Sequence, residues 1–102
     1  MAEMIVPAIT ALQAQAQANY FLLTHLGDRF VADDPVLDAE AGVWRVPVLL
    51  AYPLIGPVGD TGVILVNSGS EEIVFYTPLE DMKAAARALY ETHRDEIEAS
   101  VP

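Results

Sequence analysis

The sequence predicts a single α+β domain over residues 1–102, with an N-terminal helix, a three- to four-stranded antiparallel sheet and a C-terminal helix packed on that sheet. Apolar residues recur with helical spacing near both ends of the chain. Between these ends lie short runs rich in β-branched residues, separated by turn residues. Helices that flank a block of strands are typical of the α+β class.

The first helix is predicted over residues 8–26, where alanine, leucine and glutamine are good helix formers. Pro7 suits the first turn of a helix, and Gly27 suits its C-terminal cap. The face expected to be buried is a stripe at three- and four-residue spacing. It consists of Ile9, Leu12, Ala16, Tyr20, Leu23 and Leu26.

Four strands are predicted to follow this helix. They cover residues 29–37 (broken by Asp33, Asp34 and Pro35), 43–53, 62–67 and 73–76. Residues 38–42 are expected to form a turn in which Gly42 takes a positive φ. Residues 53–62 are rich in glycine and proline, which predicts a loop between the second and third strands.

The sequence TPLE at residues 77–80 predicts the start of the second helix. Thr77 is expected to be the N-cap, Pro78 to occupy the first helical position and Glu80 to complete a capping box. The helix is predicted to run to about residue 98. Its buried stripe is expected to consist of Leu79, Met82, Ala86, Leu89, His93 and Ile97.

The strand at 43–53 is apolar on both of its faces, which is unusual for an antiparallel sheet in a small domain. One face carries Trp44, Val46, Val48, Leu50 and Tyr52. Two helices on one side would leave the other side bare, and helices on opposite sides would cover each with only one helix. A homodimer packed through sheet or helix faces is therefore predicted, with a different partner protein as the alternative. If the Trp44 face meets the helices, the predicted interface is Val43, Leu49, Ala51, Ile64 and Val66. In the reverse arrangement Val46, Val48 and Leu50 take their place.

Charge and composition exclude several classes of function. With 15 acidic and 5 basic residues, the formal net charge is −10, which disfavours nucleic acids and anionic membranes as partners and favours a basic protein. The absence of cysteine removes disulfides and thiolate metal sites. The sequence contains no run of about 18 apolar residues, so no membrane span is predicted. The N-terminus lacks a basic leader. A cytoplasmic location is therefore expected.

The chain shows no pattern that predicts catalysis. His25 and His93 do not have the spacing of a metal-binding motif. The carboxylates at residues 33–40 miss the alternation of a calcium loop, and GPVGDTG at 56–62 lacks the lysine of a P-loop. We therefore predict no catalytic residue, no cofactor and no metal, and we do not expect an enzyme.

Other functions compete with the interaction module. A small-molecule binder or minor enzyme would need an apolar pocket, for which the candidate lining is Trp44, Tyr52, Tyr76 and His93. An acidic inhibitor of a basic partner protein, as in toxin–antitoxin pairs, would suit the net charge. A structural subunit of a larger assembly would require a repeating, non-closing interface.

The middle of the chain resembles a PepSY-like module over about residues 8–76. The resemblance follows W-x-V-x-V at residues 44–48, G-x-x-x-V at 62–66 and E-I at 72–73. PepSY-like modules are associated with inhibiting or chaperoning peptidases. The resemblance therefore implies a small, non-catalytic binding or regulatory domain.

Overall fold

A computed structural model describes the backbone of residues 7–100 and the side chains of residues 7–99. The prediction of one domain over residues 1–102 extends beyond this range at both ends. The α+β class with an antiparallel sheet is confirmed. The elements, in chain order, are α1 (Ala11–His25), β1 (Phe30–Ala32), β2 (Val36–Asp38), β3 (Val43–Tyr52), β4 (Gly56–Asn67), β5 (Ile73–Tyr76), α2 (Leu79–Thr92) and α3 (Arg94–Ser100).

The sheet is an antiparallel meander in which β1 and β2 share one partner. β1 pairs with the second half of β3, with Phe30 opposite Leu50, and β2 pairs with the first half, with Asp38 opposite Val43. β3 then pairs with β4, and β4 with β5. The two short strands therefore act as one interrupted edge strand, as the break predicted at residues 33–35 indicates.

β4 is much longer than predicted, because residues 56–62 are strand and not loop. Gly56 pairs with Tyr52 across a tight connection and has a φ of 76°, a left-handed value that favours glycine. Register shifts between Val48 and Leu49 and between Leu50 and Ala51 accommodate the extra residues. The glycines and prolines of this segment therefore mark bulges within a ladder, where such residues are tolerated.

α1 begins later than predicted. Its predicted buried stripe was wrong at Leu12, Ala16, Tyr20 and Leu23, whereas Ile9 is buried and Leu26 packs beside the core. Thr10 caps the helix in a capping box with Gln13. The buried residues are Ala14, Ala18 and Leu22. Leu12, Tyr20 and Leu23 are more than 60% exposed. α1 has apolar residues on more than one side, so spacing alone did not show which side is buried. The small side chains of the buried alanines let the helix approach the sheet closely.

α2 buries its predicted stripe, but its start was wrong. Met82 is fully buried, and Leu79 packs beside the core. Thr77 is not the N-cap: its hydroxyl accepts a hydrogen bond from the Val63 amide at 2.9 Å, which ties the end of β5 to β4. Pro78 takes the cap position without a side-chain hydrogen bond. The helix breaks at His93, and α3 continues beyond it.

The core lies between one face of the sheet and the helices. This inner face carries Val46 and Val48 from β3 with Ile64 and Val66 from β4, all 0% exposed. Leu22 of α1 and Met82 of α2 belong to the same buried cluster. Trp44 packs at its margin, and its indole N–H donates to the carbonyl of Ile9 at 3.1 Å. The Trp44 face of β3 is thus the one that meets the helices.

The close approach of α2 to β4 depends on Gly62. A Cβ at this position would lie 2.8 Å from the Thr77 side chain and 2.9 Å from the Met82 side chain. Gly62→Ala is expected to destabilise the fold by about 1–3 kcal/mol, the usual cost of overpacking. Urea denaturation measures this. Gly69→Ala is the matched control, because its Cβ would meet only Asn67 Oδ1 at 3.3 Å; equal losses in both variants would contradict the packing argument.

Candidate functional site

The surface of the sheet opposite the helices forms a continuous apolar face. The register places its residues together: Val31, Val36, Arg45, Pro47, Leu49, Ala51, Asp60, Val63, Leu65 and Phe75, here called the outer face. All of them except Arg45 and Asp60 are apolar. Both long helices pack on the inner face, so neither of them covers the outer face. Its apolar side chains remain accessible, with Val36 at 61% exposure and Phe75 at 49%.

A shallow depression of about 390 Å³ lies in the middle of the outer face. Val36, Pro47 and Val63 contribute apolar lining, while Arg45 and Asp60 bring opposite charges. Arg45 faces Leu65 in the ladder, and Asp60 faces Leu49, so the two charges stand on either side of the pair Pro47 and Val63. Neither charge has an ion-pair partner within the described residues.

The predicted interface residues fall on two different faces. Leu49 and Ala51 lie on the outer face and are partly exposed. Ile64 and Val66 are fully buried, because they pair with Val46 and Trp44 and therefore point to the helices. Val43 is also buried, at 7% exposure. In the predicted strand 62–67, the residues that lie on the outer face are instead Val63 and Leu65. The alternation of this strand is visible in the sequence, but which of its two faces is buried is not.

A second apolar surface runs along α1. Leu12, Ala16, Tyr20 and Leu23 form it and are called the α1 ridge. Leu12 is 76% exposed and Tyr20 is 72% exposed. The stripe predicted to face the core is thus largely turned to solvent, where exposed apolar groups of this size are typical of contact surfaces.

The residues predicted to line a pocket do not converge. Trp44 lies near one end of β3 and Tyr52 at the other, about 26 Å apart at the usual rise of a strand. Tyr76 packs against Phe21, with 4.6 Å between the ring centroids. His93 lies beyond α2, where its Nδ1 is 3.2 Å from Glu96 Oε1. These four side chains therefore do not form one binding site.

A groove does exist on the inner face, between the end of α1 and the middle of α2; we call it the inner groove. Its volume is about 300 Å³. Its floor is apolar and consists of Leu26, Phe30, Leu50 and Ala86. Its polar groups are Arg29, Lys83, Arg87 and the phenols of Tyr52 and Tyr90. Of the predicted pocket residues, only Tyr52 lies here.

His25 and Asp38 each have a backbone partner. His25 Nδ1 lies 2.8 Å from the Phe21 carbonyl, which can only accept, so this nitrogen carries the proton. Asp38 accepts a hydrogen bond from the Ala41 amide within the turn after β2. Within residues 7–99, no group of three or more histidines and carboxylates is arranged to hold a metal ion. Within the described backbone, no helix has the length and apolar character needed to cross a membrane.

Tyr90 links α2 to α3. Its hydroxyl donates to Glu98 Oε2 at 3.0 Å, and this hydrogen bond to a carboxylate raises the pKa of the phenol above its usual value, with some help from desolvation. The neutral phenol is the form that holds the contact. Because the pKa is raised in the folded state, the contact persists at neutral pH and is lost as the pH rises through the raised pKa.

Comparison with protein-family models, with curated proteins and with solved structures finds no match for this chain. The PepSY-like resemblance therefore stays a prediction. The surfaces of the described chain that are suited to binding are the outer face, the α1 ridge and the inner groove.

Tyr90→Phe is expected to speed amide hydrogen exchange in α3, because it removes the hydroxyl that bonds Glu98. Exchange in the sheet should not change. Tyr20→Phe is the matched control, since Tyr20 is 72% exposed on α1. In the unmodified chain, the protection of α3 relative to the intrinsic exchange rate should also fall as the pH rises through the raised pKa of Tyr90. Unchanged exchange in α3 of Tyr90→Phe would contradict this link.

Proposed function

We propose that this chain is a non-catalytic interaction module that forms a two-fold homodimer through its outer face. The observation that carries the proposal is the apolar outer face, which neither long helix of the described chain covers. Contiguous exposed apolar surface of this kind usually marks an interaction site, and two-fold homodimers are the commonest oligomers. The occupant of the outer face is a second copy of the chain.

The two charges of the outer face support a second copy over an unrelated partner. In a two-fold interface, a contact from residue i to residue j is matched by one from j to i. Suppose that the two-fold axis lies between the two packed sheets, level with Pro47 of β3. Arg45 of each copy would then approach Asp60 of the other. Both charges, unpaired in the single chain, would then be neutralised by the same symmetric contact.

The size of the outer face is sufficient for a modest dimer. Ten residues of β3 span about 33 Å, and four strands across give about 15 Å, so each copy contributes on the order of 500 Å². The total of about 1,000 Å² reaches the lower bound for a specific interface. The radius of gyration is 15.1 Å, whereas a compact chain of this length has about 13 Å.

The acidity of the chain directs where association can occur. The net charge of −10 makes two copies repel each other at long range. Arg45 and Asp60 on the outer face have opposite charges, and Asp38 lies at its edge opposite Val43, so contact there adds less repulsion than the net charge implies. The remaining acidic surface stays free in the dimer and suits a basic partner protein. We also propose a cytoplasmic location, which the absence of cysteine favours.

Leu49→Glu is expected to convert the dimer to a monomer, with a loss of at least about 100-fold in dimer affinity. Each dimer would bury two new carboxylates, and an unpaired buried charge is costly. Light scattering on a size-exclusion column measures the change from about 22 kDa, which is twice the chain mass by two-fold symmetry, to 11.0 kDa. Circular dichroism checks that the fold is retained.

Leu23→Glu is the matched control, because it makes the same change on the α1 ridge, where Leu23 is 63% exposed. The proposal expects this variant to remain a dimer. If Leu23→Glu dissociates and Leu49→Glu does not, the α1 ridge is the interface and the proposal is overturned. A wild-type chain that stays monomeric up to hundreds of micromolar also overturns it.

A charge exchange tests the symmetric pairing of Arg45 with Asp60. Arg45→Glu and Asp60→Arg should each weaken the dimer by about tenfold, because two charge pairs per interface turn repulsive. The double variant should recover most of the lost affinity, since it restores opposite charges. Arg94→Glu, which breaks a pair with Glu91 at the other end of the chain, is the control and should leave the dimer intact. Sedimentation equilibrium gives the dimer dissociation constant of each variant and of the wild type.

A further inference from the structure

The inner groove concentrates positive charge in a strongly acidic chain. Three of the five basic residues line it, namely Arg29, Lys83 and Arg87. No acidic residue of the described chain lines it. Lys83, Arg87 and Tyr90 have the spacing that places them on one side of α2, while Arg29 approaches from the turn after α1. The groove is therefore a local site for an anion.

The three cations differ in how firmly they are already engaged. Arg29 lies over the ring of Tyr52, with its guanidinium carbon 5.3 Å from the ring centroid, and it contacts Asp28 at 3.6 Å. Lys83 contacts Glu80 at 3.5 Å. These pairs are solvent-exposed and of the kind that contributes little energy. Arg87 has no carboxylate partner within residues 7–99, so its guanidinium is free to receive a ligand.

We propose that the inner groove binds a small monocarboxylate with an apolar body, of the class of medium-chain fatty carboxylates. The apolar floor of Leu26, Phe30 and Leu50 receives the hydrocarbon, and the rim of cations receives the carboxylate. Octanoate, which joins a short hydrocarbon chain to one carboxylate, represents this class.

Arg87 is the expected carboxylate ligand. A guanidinium presents two parallel N–H donors that match the two oxygens of a carboxylate, whereas the lysine ammonium acts as a point charge. Lys83 lies one turn earlier on α2 and adds attraction. The inner groove lies on the side of the sheet opposite to the outer face, so this proposal does not depend on the homodimer.

Octanoate titrated into the full chain, followed by amide NMR shifts, tests the proposal. The proposal expects saturable shifts confined to residues 26–30, 50–52 and 83–90, which surround the inner groove. Octylammonium has the same tail and the opposite charge, and acetate has the charge without the tail; both should bind at least about tenfold more weakly. Shifts spread evenly over the surface, or equal binding of octylammonium, would overturn the proposal.

Arg87→Gln should weaken octanoate binding by about tenfold, the effect of losing a charged hydrogen bond. Lys83→Gln should weaken it less. Arg94→Gln is the matched control, because it removes the same charge from a residue that pairs with Glu91 and does not line the inner groove, so it should bind like the wild type. Circular dichroism establishes that each variant is folded. Equal affinity in Arg87→Gln and Arg94→Gln would refute the assignment of the anion to the inner groove.

Discussion

The structure depends on one constraint: the two long helices of the described residues cover only one face of a sheet that is apolar on both. Alanines at positions 14 and 18 let α1 lie close to the inner face, and Gly62 does the same for α2. Close packing there completes the core with Val46 and Ile64 fully buried. The same packing commits both helices to one side. The outer face is thus a direct result of how the core is built.

The fold class and the strands could be predicted because their periods are simple. Alternation identified the two faces of β3, and a three- to four-residue spacing identified the buried stripe of α2, including Met82 and Ile97. α1 defeated the same reasoning, since Leu12 and Leu23 are larger than the alanines that are actually buried. Size favoured the wrong stripe, because the spacing between helix and sheet, which selects small residues, is not visible in a sequence.

Two local sequence signals mark real structural features, but the roles predicted for them were wrong. Thr77 is a strong capping residue, but its hydroxyl pairs with the Val63 backbone and serves the sheet. The glycines and prolines of residues 53–62 look like a loop, yet bulges keep most of them in β4. The sequence correctly placed Leu49 on the outer face. It could not show that Ile64 and Val66 point inward, because the pairing of Ile64 with Val46 and of Val66 with Trp44 decides their face and is set only in the folded sheet.

Net charge bears on which partners suit the whole surface, but not on which ligand suits a single groove. A long polyanion meets many acidic groups at once, so the charge of −10 argues against nucleic acid as a ligand. A small anion responds mainly to charges within about 8 Å, the screening distance at physiological salt. Within that distance of the inner groove, folding gathers Arg29, Lys83 and Arg87 from two separate parts of the chain. Selectivity for one kind of anion then depends on the apolar floor beneath those charges, which only a ligand with a hydrocarbon body can use.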